Sequence, residues 1–416
     1  MASALTVTMV GIVTSRDLNV FSGGLYWVAL VCLWRELSAR SQRQMLWIVA
    51  ASLPGLVVGV TSGTPHLWQR ALSANSGMIS MLIAVGFISL LPTATLQRPQ
   101  AGLKGLLCTF ANVHLVGAII NYSSVIIFGD RMARGRGLRL DQAMVLSRAF
   151  ASAGFWSPFF ATMAVALGYA PGAQFVVLLE AGMAMALLSL GVCIWDIKKA
   201  GGLAAFEGIG LSVRGMQLPA LIGAIVLGAQ WLTPAWTVLS TVTLVCPAMV
   251  CCLSFLRPGK LSSASVALVA LVAHVRSEFP RHANELALFL AVGMFGVSLI
   301  PLLGLLPSTV VLANFRLVEA SLGLSAVVVA ALFGIHPLVS IAVLTRLVHT
   351  DSVNANVLGF VIVAGWAISS AVGPLSGQNL VIQGRYGVSS TALMRANLGY
   401  AVWMGIGAVG CIFFIL

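Results

Sequence analysis

VNANVLGFVIVAGWAISSAVGPLSGQNLVIQ, residues 353–383, is the stretch on which the reading of the chain turns. It is longer than the ~20 residues that carry a helix across a bilayer, and AVGPLSGQN (371–379) interrupts it. Proline removes a backbone donor and disfavours helical geometry in the residue before it, so a helix is expected to stop near Pro374 and restart. Inside hydrocarbon, the N–H and C=O groups freed by such a break must be satisfied by protein, water or a bound ligand. Half-helix N-termini suit anions, whereas exposed carbonyls and half-helix C-termini suit cations.

The same design occurs earlier in the chain. Segment 142–169 is also long and is interrupted at AGFWSP (153–158). SAGFWSPFFATMAVALGY (152–169) answers SSAVGPLSGQNLVIQGRYG (369–387), with Pro158 and Pro374 216 positions apart. LLEAGMAM (178–185) answers RANLGYAV (395–402), with Glu180/Asn397 and Gly182/Gly399 each 217 apart. Upstream, NVHLVGAII (112–120) answers GIHPLVSIAV (334–343), and ANSGMISMLIAVGFISLLPTAT (74–95) answers ANELALFLAVGMFGVSLIPLLGLL (283–306). One membrane unit is present twice, each copy broken at the same place.

Composition agrees. Hydrophobic residues make up 59% of the 416 and charged residues 8%, too few charges for a water-facing surface. The 42 glycines suit packed membrane helices. The net charge of +12 reads as positive-inside bias, because no loop interleaves aromatic and basic residues as a nucleic-acid surface would. The seven cysteines lie in apolar runs without a CxxC, so neither a metal site nor a disulfide framework is expected. Residues 1–18 are read as an N-terminal segment whose apolar part, 1–13, is too short to span and lacks a signal-peptide pattern.

Loop charges set the topology. Segments 103–128 and 322–345 carry NVH and GIHP in mid-run and are expected to be re-entrant hairpins interrupted there. If neither hairpin crosses, 17 loop Lys and Arg fall on one face and 4 on the other; if both cross, the split is 14 against 7. The non-crossing arrangement obeys the positive-inside rule better. Each half then crosses five times, so the second half is inverted. The expected fold is an all-α polytopic membrane protein of two inverted repeats. Repeat 1 covers 19–195 (hairpin 103–128, broken helix 142–169) and repeat 2 covers 215–416 (hairpin 322–345, broken helix 353–383), joined by a cytoplasmic linker at 196–214. Stretches 65–74 and 262–282 read as interfacial helices.

Neutral polar side chains gather at the breaks: Ser152, Ser157 and Pro158 in the first, and Ser369, Ser370, Pro374, Ser376, Gln378 and Asn379 in the second. Hydroxyls and amides coordinate Na⁺ or hydrogen-bond a carboxylate; the competing reading is that they cap the half-helices. Asn112, His114 and His336 are expected at the hairpin tips. Histidine suits proton coupling, although a structural hydrogen bond that fixes the tip is the favoured reading. Asn121, Ser123, Ser124 and Ser340 follow the tips and are placed to complete ion sites. Glu180 is the one carboxylate clearly inside a spanning segment, and such groups are functional by default. It is expected to carry a coupling proton, to pair with Arg148, or to make a plain polar contact with Asn397. Arg148 lies on the way to the first break, placed to attract an anion or simply to snorkel.

Two inverted five-span halves, each with a hairpin followed by a broken helix, resemble the Ion Transporter superfamily of divalent anion/sodium symporters, arsenite and NhaD-type antiporters and TRAP membrane subunits. The resemblance covers residues 19–414 and rests on that architecture and on GIHPLVSIAVL and AVGPLSGQN. It implies an elevator mechanism and a homodimer. Where the sodium/dicarboxylate branch carries Ser-Asn-Thr motifs, this chain has Asn121-Tyr122-Ser123 and Ser376-Gly377-Gln378-Asn379.

The expectation is a secondary transporter of a bacterial inner membrane, moving a small anionic solute with Na⁺ or H⁺. It is read as neither an enzyme nor a nucleic-acid binder, with no cofactor beyond a possible Na⁺; Walker, HExxH and GxSxG patterns are absent. Export of a lipid-linked or amphipathic metabolite, or a non-transport scaffold, are the alternatives.

Overall fold

The computed structural model describes residues 1–90, 99–211, 213–255, 272–273, 275–277, 279–305, 312, 314–348 and 353–416. Most of the expected interfacial stretch 262–282, and Arg98, Arg257 and Lys260 of the loop charges, lie outside the described residues. Six helical stretches are long and apolar enough to cross a membrane: Ala39–Thr61, Gly102–Ile120, Phe175–Lys199, Ala283–Leu303, Ala355–Tyr386 and Ser390–Ile415. The described β-structure that forms a sheet is one pair of three-residue strands. The chain is therefore an all-α, multi-pass membrane protein.

It divides into two compact units, Met1–Pro92 with Ile225–Val311, and Thr93–Ala224 with Leu312–Leu416. The first unit holds α1 (Ala2–Thr14), α2 (Asn19–Cys32), α3 (Ala39–Thr61), α4 (Leu67–Ser73), α5 (Ser76–Gly86), α12 (Val238–Phe255) and α13 (Ala283–Leu303), with the end of α11 (Val213–Leu232). Its closest packing is glycine-mediated. A Cβ on Gly55 of α3 would sit 1.9 Å from the Ser298 carbonyl oxygen of α13, and one on Gly59 would meet Leu67 and Pro301. Without hydrophobic transfer from water to drive helices together, such backbone approach supplies the packing energy. Buried Tyr26, Ser80 and Thr8 form a hydrogen-bond chain with 2.8 Å links that joins α2, α5 and α1. We expect Gly55→Val to lower thermal stability in detergent by about 1–3 kcal/mol or more through overpacking. Gly24, which has open space around it, serves as the control as Gly24→Ala. Equal melting of the Gly55 variant and wild type would remove this contact from the account.

The second unit holds β1 (Pro99–Ala101), α6 (Gly102–Ile120), α7 (Tyr122–Ala133), α8 (Leu140–Ala153), α9 (Ala161–Tyr169), α10 (Phe175–Lys199) and β2 (Glu207–Ile209), then α14 (Leu317–Leu332), α15 (Pro337–Leu347), α16 (Ala355–Val372), α17 (Gly377–Tyr386) and α18 (Ser390–Ile415). Strand β1 pairs antiparallel with β2, Gln100 opposite Gly208. Arg139, the N-cap of α8, reaches Ala205 O (3.1 Å) just before β2, and Gln142, in the first turn of α8, reaches Glu207 O (2.7 Å) of the ribbon itself. Helices α6 and α7 thus leave from and return to one end of the unit. Leu312 N donates to Leu347 O at 2.7 Å, so α14 and α15 do the same at their own end.

Two expectations about the hairpins need correction. Asn112–Val113–His114 does not break its helix, which runs unbroken through Ile120; the turn is at Asn121 (φ 53, ψ −135). Asn and His cost a helix interior only about 0.6 kcal/mol each, and without a proline the backbone has no reason to stop. The second hairpin does turn at GIHP, with Gly334 at φ 85 and Pro337 opening α15. His114 and His336 therefore do not occupy matched places: His336 caps the helix after its turn, whereas His114 lies inside α6.

Candidate functional site

The second break, Gly373–Ser376, parts α16 from α17. Two asparagines take up the carbonyls it frees. Asn379 Nδ2 donates to Ala371 O and Gly373 O, both at 3.0 Å, and Asn397 Nδ2 donates to Ala371 O at 2.9 Å. Ser376 Oγ caps α17 by accepting from Asn379 N. Ser147 of α8 ties the cluster together: its hydroxyl donates to Asn379 Oδ1 (3.0 Å), and its Oγ and carbonyl accept from Gln378 Nε2 at 2.7 and 3.1 Å. Gln378 is 1% exposed, and its Oε1 is buried with no hydrogen-bond partner among the described residues. An unsatisfied buried acceptor costs about 1–3 kcal/mol, so this oxygen is the polar group at the break with most to gain from a ligand.

The first break, Gly154–Phe160, is held by its own side chains. Thr162 Oγ1 donates to Gly154 O at 2.5 Å, and the Ser157 hydroxyl donates to Ala118 O near the first hairpin turn. Buried Ser152 accepts from His114 Nδ1 at 2.7 Å, while Trp156 Nε1 donates to His114 Nε2 at 3.0 Å. That pattern assigns the proton to Nδ1 and engages both ring nitrogens. A cationic His114 would lose the Trp156 bond.

Both hairpin turns reach the second break. A Cβ on Gly377 would lie 2.8 Å from the Tyr122 hydroxyl, and one on Gly334 would lie 2.5 Å from Leu375. The His336 ring also packs edge-on against Trp366, with centroids 5.4 Å apart. The structure thus brings Ser157, Tyr122 of the first turn, Gly334 of the second, and Gln378 and Asn379 into one connected region. Ser369 donates to Val327 O at 3.5 Å and Ser124 to Asn121 O at 2.8 Å; both are buried. Pro158 is buried; Pro374, Ser340, Ser370 and Asn121 are half-buried. Asn112 is drawn elsewhere, donating to Gly210 O at 2.8 Å. The side chain of Ser123 lies outside the described residues.

Arg148 and Glu180 depart from expectation. Arg148 is fully buried and does not snorkel. Its Nε donates to Asn397 Oδ1 at 2.8 Å, Nη2 to Ala396 O at 3.2 Å, and its guanidinium stacks 4.7 Å over Tyr400. Its counter-ion is Asp196, 2.7 Å from Nη1, a charge contact without hydrogen-bond alignment. Asp196, which the linker boundary at 196 left outside repeat 1, belongs to the last turn of α10. Glu180 sits near the opposite end of α10 and is exposed. Asn397, one of the contacts weighed for Glu180, is instead committed to Arg148 and Ala371. Asp196, Ser147 and Trp156 are the residues the sequence reading missed.

At one end of the unit Arg385 grips Asp130 with two 2.7 Å bonds. That hydrogen-bonding guanidinium holds the Asp130 carboxyl below its usual range. Neither a scan of protein-family models nor a search of curated proteins finds a match to the chain.

Proposed function

We propose that the chain is a secondary active transporter that carries a small anionic solute across a bacterial inner membrane, driven by Na⁺ or H⁺. The observation that carries this reading is the meeting of two interrupted helices and two helix–turn–helix tips in one unit, with a buried Gln378 oxygen at the second break that has no hydrogen-bond partner among the described residues. A passive scaffold has no use for two breaks in apolar helices.

Inverted repeats and re-entrant hairpins belong to the same proposal, and the hydrogen bonds of the second unit support them. Strands β1 and β2 bracket the first hairpin and two further helical passes, so their pairing favours a hairpin that does not cross. The Leu312–Leu347 bond favours the same for the second hairpin. Asp130 and Arg385 must share a face if the second hairpin is re-entrant, and lie on opposite faces if it crosses; their ion pair favours re-entry. Each compact unit also draws the corresponding stretch from both repeats. That division suits a scaffold made of the first unit and a mobile carrier made of the second, the elevator arrangement, with a homodimer held through the scaffold.

Proteoliposomes loaded with a panel of carboxylates and oxyanions, with and without a Na⁺ or pH gradient, test the proposal. Gradient-dependent flux is expected for at least one solute, and absence of flux under every gradient counts against transport. Asn121 gives a sharper check. Its backbone has positive φ, where a non-glycine residue stores about 1–3 kcal/mol of strain. Asn121→Gly is expected to raise thermal stability by about 1 kcal/mol yet to reduce flux at least tenfold if the amide is a ligand. Unchanged flux would exclude Asn121 from the site.

A further inference from the structure

We propose that the first unit carries a second binding site, a cleft for the headgroup of an anionic phospholipid. The cleft has a volume of about 380 Å³ and is bordered by the end of α1 and the starts of α2, α5 and α12. That volume falls within the ~300–1,000 Å³ of small-molecule sites. Its rim is polar, with Arg16, Asn19 and Thr237, and its wall is apolar, with Ile12 and Leu239. No carboxylate lines it, and among the described residues no ion pair engages Arg16. The backbone that carries the exposed Arg16 is set by the turn beneath it: Ser15 adopts the left-handed conformation, and Arg16 N bonds Gly11 O at 3.0 Å. Asn19 is steadied by Ser76 at 3.5 Å.

The surroundings single out an amphiphile. Half-buried Trp236 lines the cleft, and Trp231, 81% exposed, stands just before the same turn. Tryptophans of this kind mark the level of lipid headgroups. Phe21, on the first turn of α2, is 69% exposed and offers an apolar path for an acyl chain beside the rim. Arg16 is also one of only four loop cations that the charge reading places on the outer face. An arginine there runs against the positive-inside bias, and an anionic headgroup supplies the reason. This last point rests on the proposed orientation; the cleft chemistry does not.

Native mass spectrometry of the full chain released from phosphatidylcholine nanodiscs doped with phosphatidylglycerol tests the site. Phosphatidylglycerol should be retained over phosphatidylcholine by roughly tenfold, a factor worth ~1.4 kcal/mol. Arg16→Gln should abolish that preference. Gly77→Leu should do the same by filling the cleft, since Gly77 lines it and a Cβ there meets nothing within 4 Å. Equal retention of the two lipids, or an unchanged preference in the folded Gly77→Leu protein, overturns the proposal. So does displacement of the bound lipid by inorganic phosphate, which would identify a free-anion site. Solute flux is not the readout, so failure of the transport reading would leave this result standing.

Discussion

Asp196→Asn should destabilise the protein by about 3–5 kcal/mol, the usual consequence of stranding one member of a buried ion pair. The Arg148 side chain is entirely buried, and the structure gives its guanidinium one carboxylate, Asp196. Its other contacts are neutral: Asn397, the Ala396 carbonyl and the Tyr400 ring. Removing the negative charge leaves a buried cation with no counter-ion and no access to water. The damage should spread beyond the pair, because Asn397 also covers the Ala371 carbonyl at the second break. Thermal unfolding in detergent measures the loss. The double variant Asp196→Asn/Arg148→Met should recover much of it, since the stranded charge is then gone. If the double variant is as unstable as Asp196→Asn alone, the charge argument is wrong and the effect is one of packing.

The second large effect is expected from a single methyl group. Gly182 of α10 lies against the first break, where an added Cβ would stand 2.1 Å from the Phe155 carbonyl oxygen and 3.0 Å from Trp156 Cβ. The obstacle is backbone, so no side-chain rotation relieves it, and the break itself must move. Gly182→Ala should cost about 1–3 kcal/mol by overpacking and lower flux by more than tenfold, because the displaced segment carries Trp156 and Ser157 with their bonds to His114 and Ala118. The position matched to Gly182 in the sequence comparison supplies the control. A Cβ added at Gly399, 217 positions later, would meet nothing within 4 Å, so Gly399→Ala should be close to neutral in both assays. Equal behaviour of the two alanines would show that contact with the break is not what matters.

Much of the helical plan was legible because prolines and glycines punctuate it. AVGPLSGQN, AGFWSP and GIHP each mark a place where the helix stops. NVH misled, because Asn and His are tolerated in a helix that has tertiary partners for them; here Asn112 has Gly210 O, and His114 has Ser152 and Trp156. The turn at Asn121 carried a weaker cue, asparagine's tolerance of positive φ. Asn379 at the second break could be read from its neighbours in sequence. Ser147 could not, since its partners lie more than two hundred positions away.

The Arg148 partner was within reach of a depth argument. Arg148 is eight residues into α8, ~12 Å from its start at 1.5 Å per residue. Asp196 is three residues from the matching end of α10, whereas Glu180 is nineteen residues from it, ~28 Å. Placing the linker boundary at 196 put Asp196 outside repeat 1 and concealed the closer acid.

The β1–β2 ribbon has a consequence for the order of assembly. It joins residues 99–101 to 207–209, so the loop it closes needs no residue beyond 209. The ion pair of Arg148 with Asp196, and the clasp of His114 with Ser152 and Trp156, fall entirely inside that loop. The emerging chain can therefore neutralise its most deeply buried cation early, using only residues already made. Asn379, Asn397 and Gln378 arrive last and dock onto Ser147 and Arg148 as a finished receptor. The last residues the second unit needs are thus those at the break where the solute is expected to bind.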